Sequence, residues 1–342
     1  LHDGRPIRVA VVGAGAFGKN HARVYHELQQ QGYGVELAAV VDSDDARAQT
    51  TAREFGCKAF NSIEELRGRV DAASVAVPTV HHHSVSAGLL ASGIDVLIEK
   101  PLTSTLEEAD ELIALANRHQ RIAQTGHLER FNPAVRATAP LLTKPMFFEV
   151  HRLSVFTPRS LDVDVVLDLM IHDIDVVLSF VKSKVKEIRA VGLPVVTEKV
   201  DIANVRIEFE SGCVANLTAS RISTERVRKL RFFQPREYIS VDYTRQDVLQ
   251  FRVAESKKFS PEQLRSIAAS SLPVPIPGVT LNKPTIEAEE PLHAELKSFI
   301  TAIRRQSRPE VPLEEGRLAL ATALQILAAI RQHMVDANLN GL

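Results

Sequence analysis

Cysteine is scarce in this 342-residue chain, with only Cys57 and Cys213 present. Two thiols can build neither a disulfide framework nor a four-ligand structural zinc site. An excess of either charge is missing as well. Lys and Arg number 41 against 42 Asp and Glu, a net of −1. That balance excludes the generally basic surface that holds nucleic acid through its phosphates. No uninterrupted apolar run reaches the roughly 20 residues that span a bilayer, and no leader-like segment precedes the first apolar run. The expectation is therefore a cytoplasmic protein with neither nucleic acid nor membrane as partner. Internal repeats and low-complexity tracts are lacking too. What is present, 45% hydrophobic and 24% charged residues, is the composition of a globular chain, long enough for two domains or one large one.

Short apolar runs alternate with amphipathic stretches over the first third of the chain. Residues 7–12, 35–41, 72–77, 95–98 and 121–124 are largely apolar and partly β-branched, which suits strands covered on both faces. Between them, residues 17–30, 46–55, 82–91 and 106–119 have helical character. The last has a start signal in Thr103, Ser104 or Thr105, with Glu107, Glu108 and Asp110 in its first turns. The alternation predicts a βαβ series, hence a doubly wound parallel sheet over residues 1–125.

Gly13-Ala14-Gly15-Ala16-Phe17-Gly18 follows the first predicted strand and opens the first predicted helix. Gly-x-Gly-x-x-Gly acquires physical meaning in that context. Gly13 permits a tight turn, Gly15 lets a pyrophosphate approach the backbone, and Gly18 allows close helix–strand packing. Asp42 ends the second strand, where its carboxylate can accept hydrogen bonds from an adenosine ribose and would repel a 2′-phosphate. NAD is the expected cofactor, with NADP left open by the nearby Arg47.

Ligands in open α/β sheets lie beyond the carboxyl ends of the strands, and two later strand ends should face that crevice. One carries Pro78, Thr79 and His82, the other Glu99, Lys100 and Pro101. Lys100-Pro101 forces a turn and is open to a cis peptide. The run His81-His82-His83 invites a metal reading. Adjacent histidines diverge, however, and no second ligand cluster follows at metal spacing, so no metal is expected and His82 is assigned to helix capping and cofactor contact.

The rhythm changes after residue 124. Asn132-Pro133 starts a helix, and residues 203–210 and 213–219 alternate with period two around Ser211-Gly212. Further strands are expected at 146–152, 186–191, 227–233, 238–243 and 247–253, an extended loop at 272–278, and helices at 292–305 and 313–335. Residues 126–342 thus read as an α/β domain on a mostly antiparallel open sheet. Asp164, Asp168 and His172, at i, i+4 and i+8, would share one helix face, with Asp175 close to it. A carboxylate one turn from an imidazole can orient it for proton transfer from an alcohol.

Together these residues resemble the Gfo/Idh/MocA family of NAD(P)-dependent oxidoreductases. The carriers are residues 13–18, Pro78-Thr79 with His82, Glu99-Lys100-Pro101, residues 130–133, and Asp168, His172 and Asp175. The resemblance implies a substrate-binding and oligomerisation role for the C-terminal domain, whose sheet would form a homodimer or homotetramer. It also implies Lys100, Asp168 and His172 as the catalytic set. Residues 126–133 and 164–175 look most like the branch of UDP-N-acetylglucosamine 3-dehydrogenases. This adds His127, Arg130, Arg152 and Arg159 as contacts to a sugar or its diphosphate. Asp162-Val163-Asp164 and Met170 stand where the family has smaller residues, which narrows the space for a simple free sugar. The competing readings are a dehydrogenase of a free polyol, aldose or diol, and a non-catalytic NAD-binding protein.

Overall fold

The computed structural model describes residues 5–157, 163–254, 258–262, 265 and 278–338. The chain divides into two compact units. The first is Leu1–Phe131 with Glu289–Leu324, and the second is Asn132–Ala288 with Gln325–Leu342.

In the first unit, β1 (Ile7–Val12), β2 (Val35–Val41), β3 (Lys58–Phe60), β4 (Ala72–Val75), β5 (Asp95–Glu99) and β6 (Ala123–Gly126) form one sheet in the order β3-β2-β1-β4-β5-β6. Every pairing in it is parallel. Strands β1, β4 and β5 are buried along nearly their whole length, as their continuous apolar runs require. Helices α1 (Ala16–Gln30), α2 (Asp45–Phe55), α3 (His82–Ala91) and α4 (Leu106–His119) connect them. Helix α4 starts on a capping box. Thr105 accepts from the Glu108 backbone N–H, and the Glu108 carboxylate accepts from the Thr105 N–H.

The division departs from the expected 1–125 and 126–342 in that the first unit runs on to Phe131 and regains residues 289–324. The reason is α7 (Pro291–Arg305). Its Leu292, Leu296, Phe299, Ile300 and Ile303 are buried in one cluster with Tyr25 and Leu28 of α1 and Val9 and Val35 of the sheet. Burying five such side chains is worth about 2 kcal/mol each.

The second unit is built on eight strands: β7 (Phe147–Leu153), β8 (Val185–Leu193), β9 (Ile202–Phe209), β10 (Val214–Ser220), β11 (Val227–Gln234), β12 (Glu237–Asp242), β13 (Asp247–Val253) and β14 (Val279–Asn282). Their order is β14-β13-β12-β11-β7-β10-β9-β8, antiparallel except for β7 beside β10. Burial alternates along β7 and β9, so one sheet face meets the core, where Phe148, Phe180 and Phe232 cluster. Helix α5 (Pro133–Thr138) begins where Asn132 accepts from the Ala134 N–H. Helix α6 (Ile171–Val181) follows a π-helical turn at Val166–Met170. The loop expected at 272–278 lies outside the described residues, except for Gly278.

Helix α8 (Leu313–Asp336) corrects one expectation. It has 24 residues and a window of mean hydropathy 1.3, long and apolar enough by length and composition to cross a membrane. About 39% of that window is buried, with Ala319, Leu320, Ala323, Ile326, Leu327 and Ile330 among the buried residues of the helix.

Candidate functional site

In the first unit a cavity of about 620 Å³ opens at the carboxyl ends of β1, β2 and β4. Gly13, Gly15, Ala16, Phe17, Asp42 and Pro78, six of the residues expected to meet the cofactor, line it. Gly13 has φ +96°, and a Cβ there would stand 2.6 Å from the Ala76 carbonyl oxygen. A Cβ on Gly18 would collide with the Gly13 carbonyl, so this glycine serves the contact between turn and helix and does not line the cavity. Gly15 is different, with nothing within 4 Å of where its Cβ would be. It caps α1 with extended backbone, no side chain bonds the helix end, and no acidic residue occupies the first turn. Open space, unsatisfied N–H groups and the positive end of a helix dipole together fit a pyrophosphate.

Asp42 is 8% exposed, and its carboxylate accepts from the Ala14 N–H at 2.7 Å and the Asp44 N–H at 2.9 Å. It therefore anchors the glycine loop and still has lone pairs for a ribose diol. Arg47 lies 3.6 Å from Asp42 but pairs more closely with Asp44, at 3.1 Å. Sequence reasoning missed Asn61 and His81 on the cavity wall. Asn61 follows β3, which at three residues is too short to show as an apolar run.

The other predicted cofactor contacts are placed differently. His82 is 1% exposed and braced between carbonyls, with Nε2 2.9 Å from Val77 O and Nδ1 3.0 Å from Pro101 O. Its burial lowers its pKa from the usual histidine value. It ties the turn after β4 to the turn after β5, so the expected cofactor contact is corrected to a structural brace. Thr79 opens a single 3₁₀ turn and is not on the cavity wall. The Lys100-Pro101 peptide is cis. Glu99 turns inward instead of lining the cavity. Its Oε1 lies 3.1 Å from Nε2 of the buried His21, and its Oε2 accepts from the Lys100 N–H at 3.3 Å. Lys100 is half-buried beside it.

His127, one residue past β6, is 1% exposed, and neither ring nitrogen has a hydrogen-bond partner. Burial, reinforced by the nearby Arg130 charge, pushes its pKa down to about 3. Arg130 is largely buried and donates to Glu315 at 3.0 Å. No group of three or more metal-ligating side chains occurs among the described residues.

In the second unit the expected stripe of Asp164, Asp168 and His172 is redrawn. Asp164 precedes the helix, where its Oδ1 accepts from the Val200 N–H at 2.9 Å and its carbonyl receives the Leu167 and Asp168 N–H groups. Asp168 lies within the π turn, which adds a residue to the turn and changes the angle between it and His172. The two remain on consecutive turns, both partly exposed. Arg152 is corrected from a phosphate contact to a buried anchor. At 2% exposure it donates from Nε and Nη2 to the two Asp173 carboxylate oxygens, at 2.6 and 2.9 Å. Its guanidinium also lies over the Tyr243 ring. Arg159 lies outside the described residues.

The first unit's glycine loop, its exposed helix end and the acidic close of the second strand have the form that suits a dinucleotide, on a parallel sheet of the Rossmann class. Residues 7–127 match the model described as "Oxidoreductase family, NAD-binding Rossmann fold", and residues 147–236 match the C-terminal domain of the same family. The chain belongs to the Gfo/Idh/MocA family, and it is an oxidoreductase whose cofactor is NAD. It is 35% identical over 325 residues to a UDP-N-acetylglucosamine 3-dehydrogenase of Acidithiobacillus ferrooxidans, covering 95% of this chain and 97% of that one. A solved structure under that name from the same organism superimposes with a TM-score of 0.84 at 34% identity, again covering 95% and 97%. An inositol 2-dehydrogenase of Arthrobacter is 30% identical over 62% of this chain and 66% of its own length.

Proposed function

We propose that this protein oxidises the 3-hydroxyl of UDP-N-acetylglucosamine with NAD⁺. The observation that carries the reading is the 35% identity to the Acidithiobacillus enzyme, sustained through both units and nearly the whole of each chain. The inositol 2-dehydrogenase relative supports a second reading, a free polyol as substrate, but its similarity covers only 62% of this chain.

Bound NAD⁺ would supply the hydride acceptor at C4 of its nicotinamide. The sugar alcohol loses its C3 hydrogen as hydride and its hydroxyl hydrogen as a proton, which leaves a ketone. His172 takes that proton, and Asp168, one turn away, orients the imidazole or the substrate. The Lys100 ammonium donates to the reacting oxygen and stabilises its developing negative charge. Gly15 and the α1 N-terminus hold the pyrophosphate, and Asp42 takes the ribose. Arg130 contacts the sugar nucleotide, and His127 packs buried beside it. The Arg152–Asp173 pair holds α6 and so fixes where His172 is presented.

We place the protein in the cytoplasm, where NAD is abundant and thiols such as the free Cys57 and Cys213 stay reduced. It would assemble as a homodimer or homotetramer through the second unit's sheet, a reading supported by exposed Val191, Phe233 and Leu281 on its strands. The function is tested by following NADH absorbance with UDP-sugars, free sugars and polyols. Turnover with UDP-N-acetylglucosamine, lost by about 100-fold or more in Lys100→Ala and His172→Ala with NADH binding retained, is the expected result. Turnover with free sugars or polyols alone would overturn the substrate assignment.

A further inference from the structure

His21 is fully buried on the first turn and a half of α1, three residues past Gly18, and no step of the reaction above uses it. Its Nε2 lies 3.1 Å from Oε1 of Glu99, which is itself 7% exposed. The other ring nitrogen, Nδ1, is buried without a hydrogen-bond partner. A buried lone pair left unmatched costs less than a buried N–H left unmatched. The pair is therefore satisfied when His21 carries its proton on Nε2 and donates it to the carboxylate.

The second oxygen of that carboxylate receives the backbone N–H of Lys100 at 3.3 Å. Space for this arrangement is provided by the neighbouring strand. Gly126 is the register partner of Glu99, and a Cβ at Gly126 would lie 2.7 Å from Oε1. The carboxylate is thus enclosed by α1 on one side, β6 on another and the Lys100 peptide on a third. Its two bonds join the helix that holds the pyrophosphate to the backbone of the residue that meets the reacting oxygen.

We propose that His21 and Glu99 are positioning residues, a buried brace that sets the Lys100 peptide, and through it the direction of the Lys100 ammonium, relative to the cofactor-binding helix. This rests on the reading of Lys100 given under the proposed function. A misplacement of about 1 Å at a reacting group can cost 100-fold in rate, so a side chain that never touches substrate can govern turnover.

The test compares His21→Leu, His21→Gln and Glu99→Gln with NAD⁺ and UDP-N-acetylglucosamine, measuring kcat, both KM values and NADH affinity by fluorescence. His21→Leu removes the donor, and its kcat is expected to fall about tenfold or more while both KM values and NADH affinity stay within about threefold. His21→Gln, whose amide can still donate to Glu99, is expected to recover kcat to within about threefold of the parent. Glu99→Gln, which keeps the shape but weakens both bonds, should lose kcat as His21→Leu does, and it serves if that variant does not fold. Unchanged kcat in both His21→Leu and Glu99→Gln, with only thermal stability reduced, would overturn the brace. A loss of NADH affinity matching the loss of kcat would overturn it too, since His21 would then act on cofactor binding. Adding His21→Leu to Lys100→Ala should cost no more than about twofold further, and a fresh tenfold loss there would refute transmission through Lys100. Full turnover in Lys100→Ala alone would overturn the reading of Lys100 and the brace with it.

Discussion

His127 is a buried neutral imidazole, and its protonation must oppose folding. Its pKa falls from the ordinary 6.5 to about 3 in the folded protein. Between those values the unfolded chain binds a proton that the folded one refuses. The contribution of His127 to stability is therefore complete above pH 6.5 and is lost progressively as pH falls toward 3. Each pH unit in that window costs about 1.4 kcal/mol, so at pH 5 this one group removes about 2 kcal/mol. Asp95 acts with the opposite sign, because burial raises its carboxyl to about 6 and the folded chain takes up that proton first. The total pH profile mixes the two, and the informative quantity is a difference. His127→Leu removes the titration, and its unfolding free energy should fall about 2 kcal/mol less between pH 7.5 and pH 5 than that of the parent chain. Urea denaturation at pH 7.5, 6 and 5 measures this directly. Parallel profiles for the two proteins would show that His127 protonates freely in the folded state, and the burial argument would fail.

Asp42→Ala should lower the preference for NAD over NADP by about tenfold or more, since a hydrogen bond to a charged group is worth about 1.5–3 kcal/mol. Dissociation constants for the two reduced cofactors by fluorescence decide it, and an unchanged ratio would remove Asp42 from the ribose. Gly15→Val places a side chain in space that the fold leaves open, so the thermal midpoint without cofactor should move little while NADH affinity drops about 100-fold. A variant that binds NADH normally would mean that the pyrophosphate sits elsewhere. Asp173→Asn leaves the Arg152 charge buried against a neutral partner, which should cost about 3–5 kcal/mol in denaturant unfolding. A loss below about 1 kcal/mol would show that the pair does not anchor α6.

The first unit was the more legible in sequence. Buried parallel strands need apolar runs, and a phosphate-binding turn needs glycines at set places, so residues 7–18 and 35–42 declared both fold and cofactor. Helices α3 and α4 were found at their observed limits, α4 with a local start signal that the Thr105–Glu108 capping box matches. The short β3 left too few residues to register, and Asn61 was missed with it. The return of α7 to the first unit was hidden because its amphipathic pattern shows that a face is buried without showing against what.

Charge was where local reading reached its limit. The near-neutral total and the acidic Asp42 were evident from residue type and strand position. What Arg152, Glu99 and His82 do was decided by packing. A long cation on a strand that faces the core must find a carboxylate there, and Asp173 is in reach only once β7 and α6 are packed together. Glu99, at the end of β5, turns to His21 of α1, and Gly126 leaves the room. The alternation of strands and helices, the glycine loop and the family were written in local pattern, because backbone conformation and hydrophobic spacing act over a few residues. The partners of buried charges were settled by tertiary structure alone, because they depend on which distant segments share the same low-dielectric space.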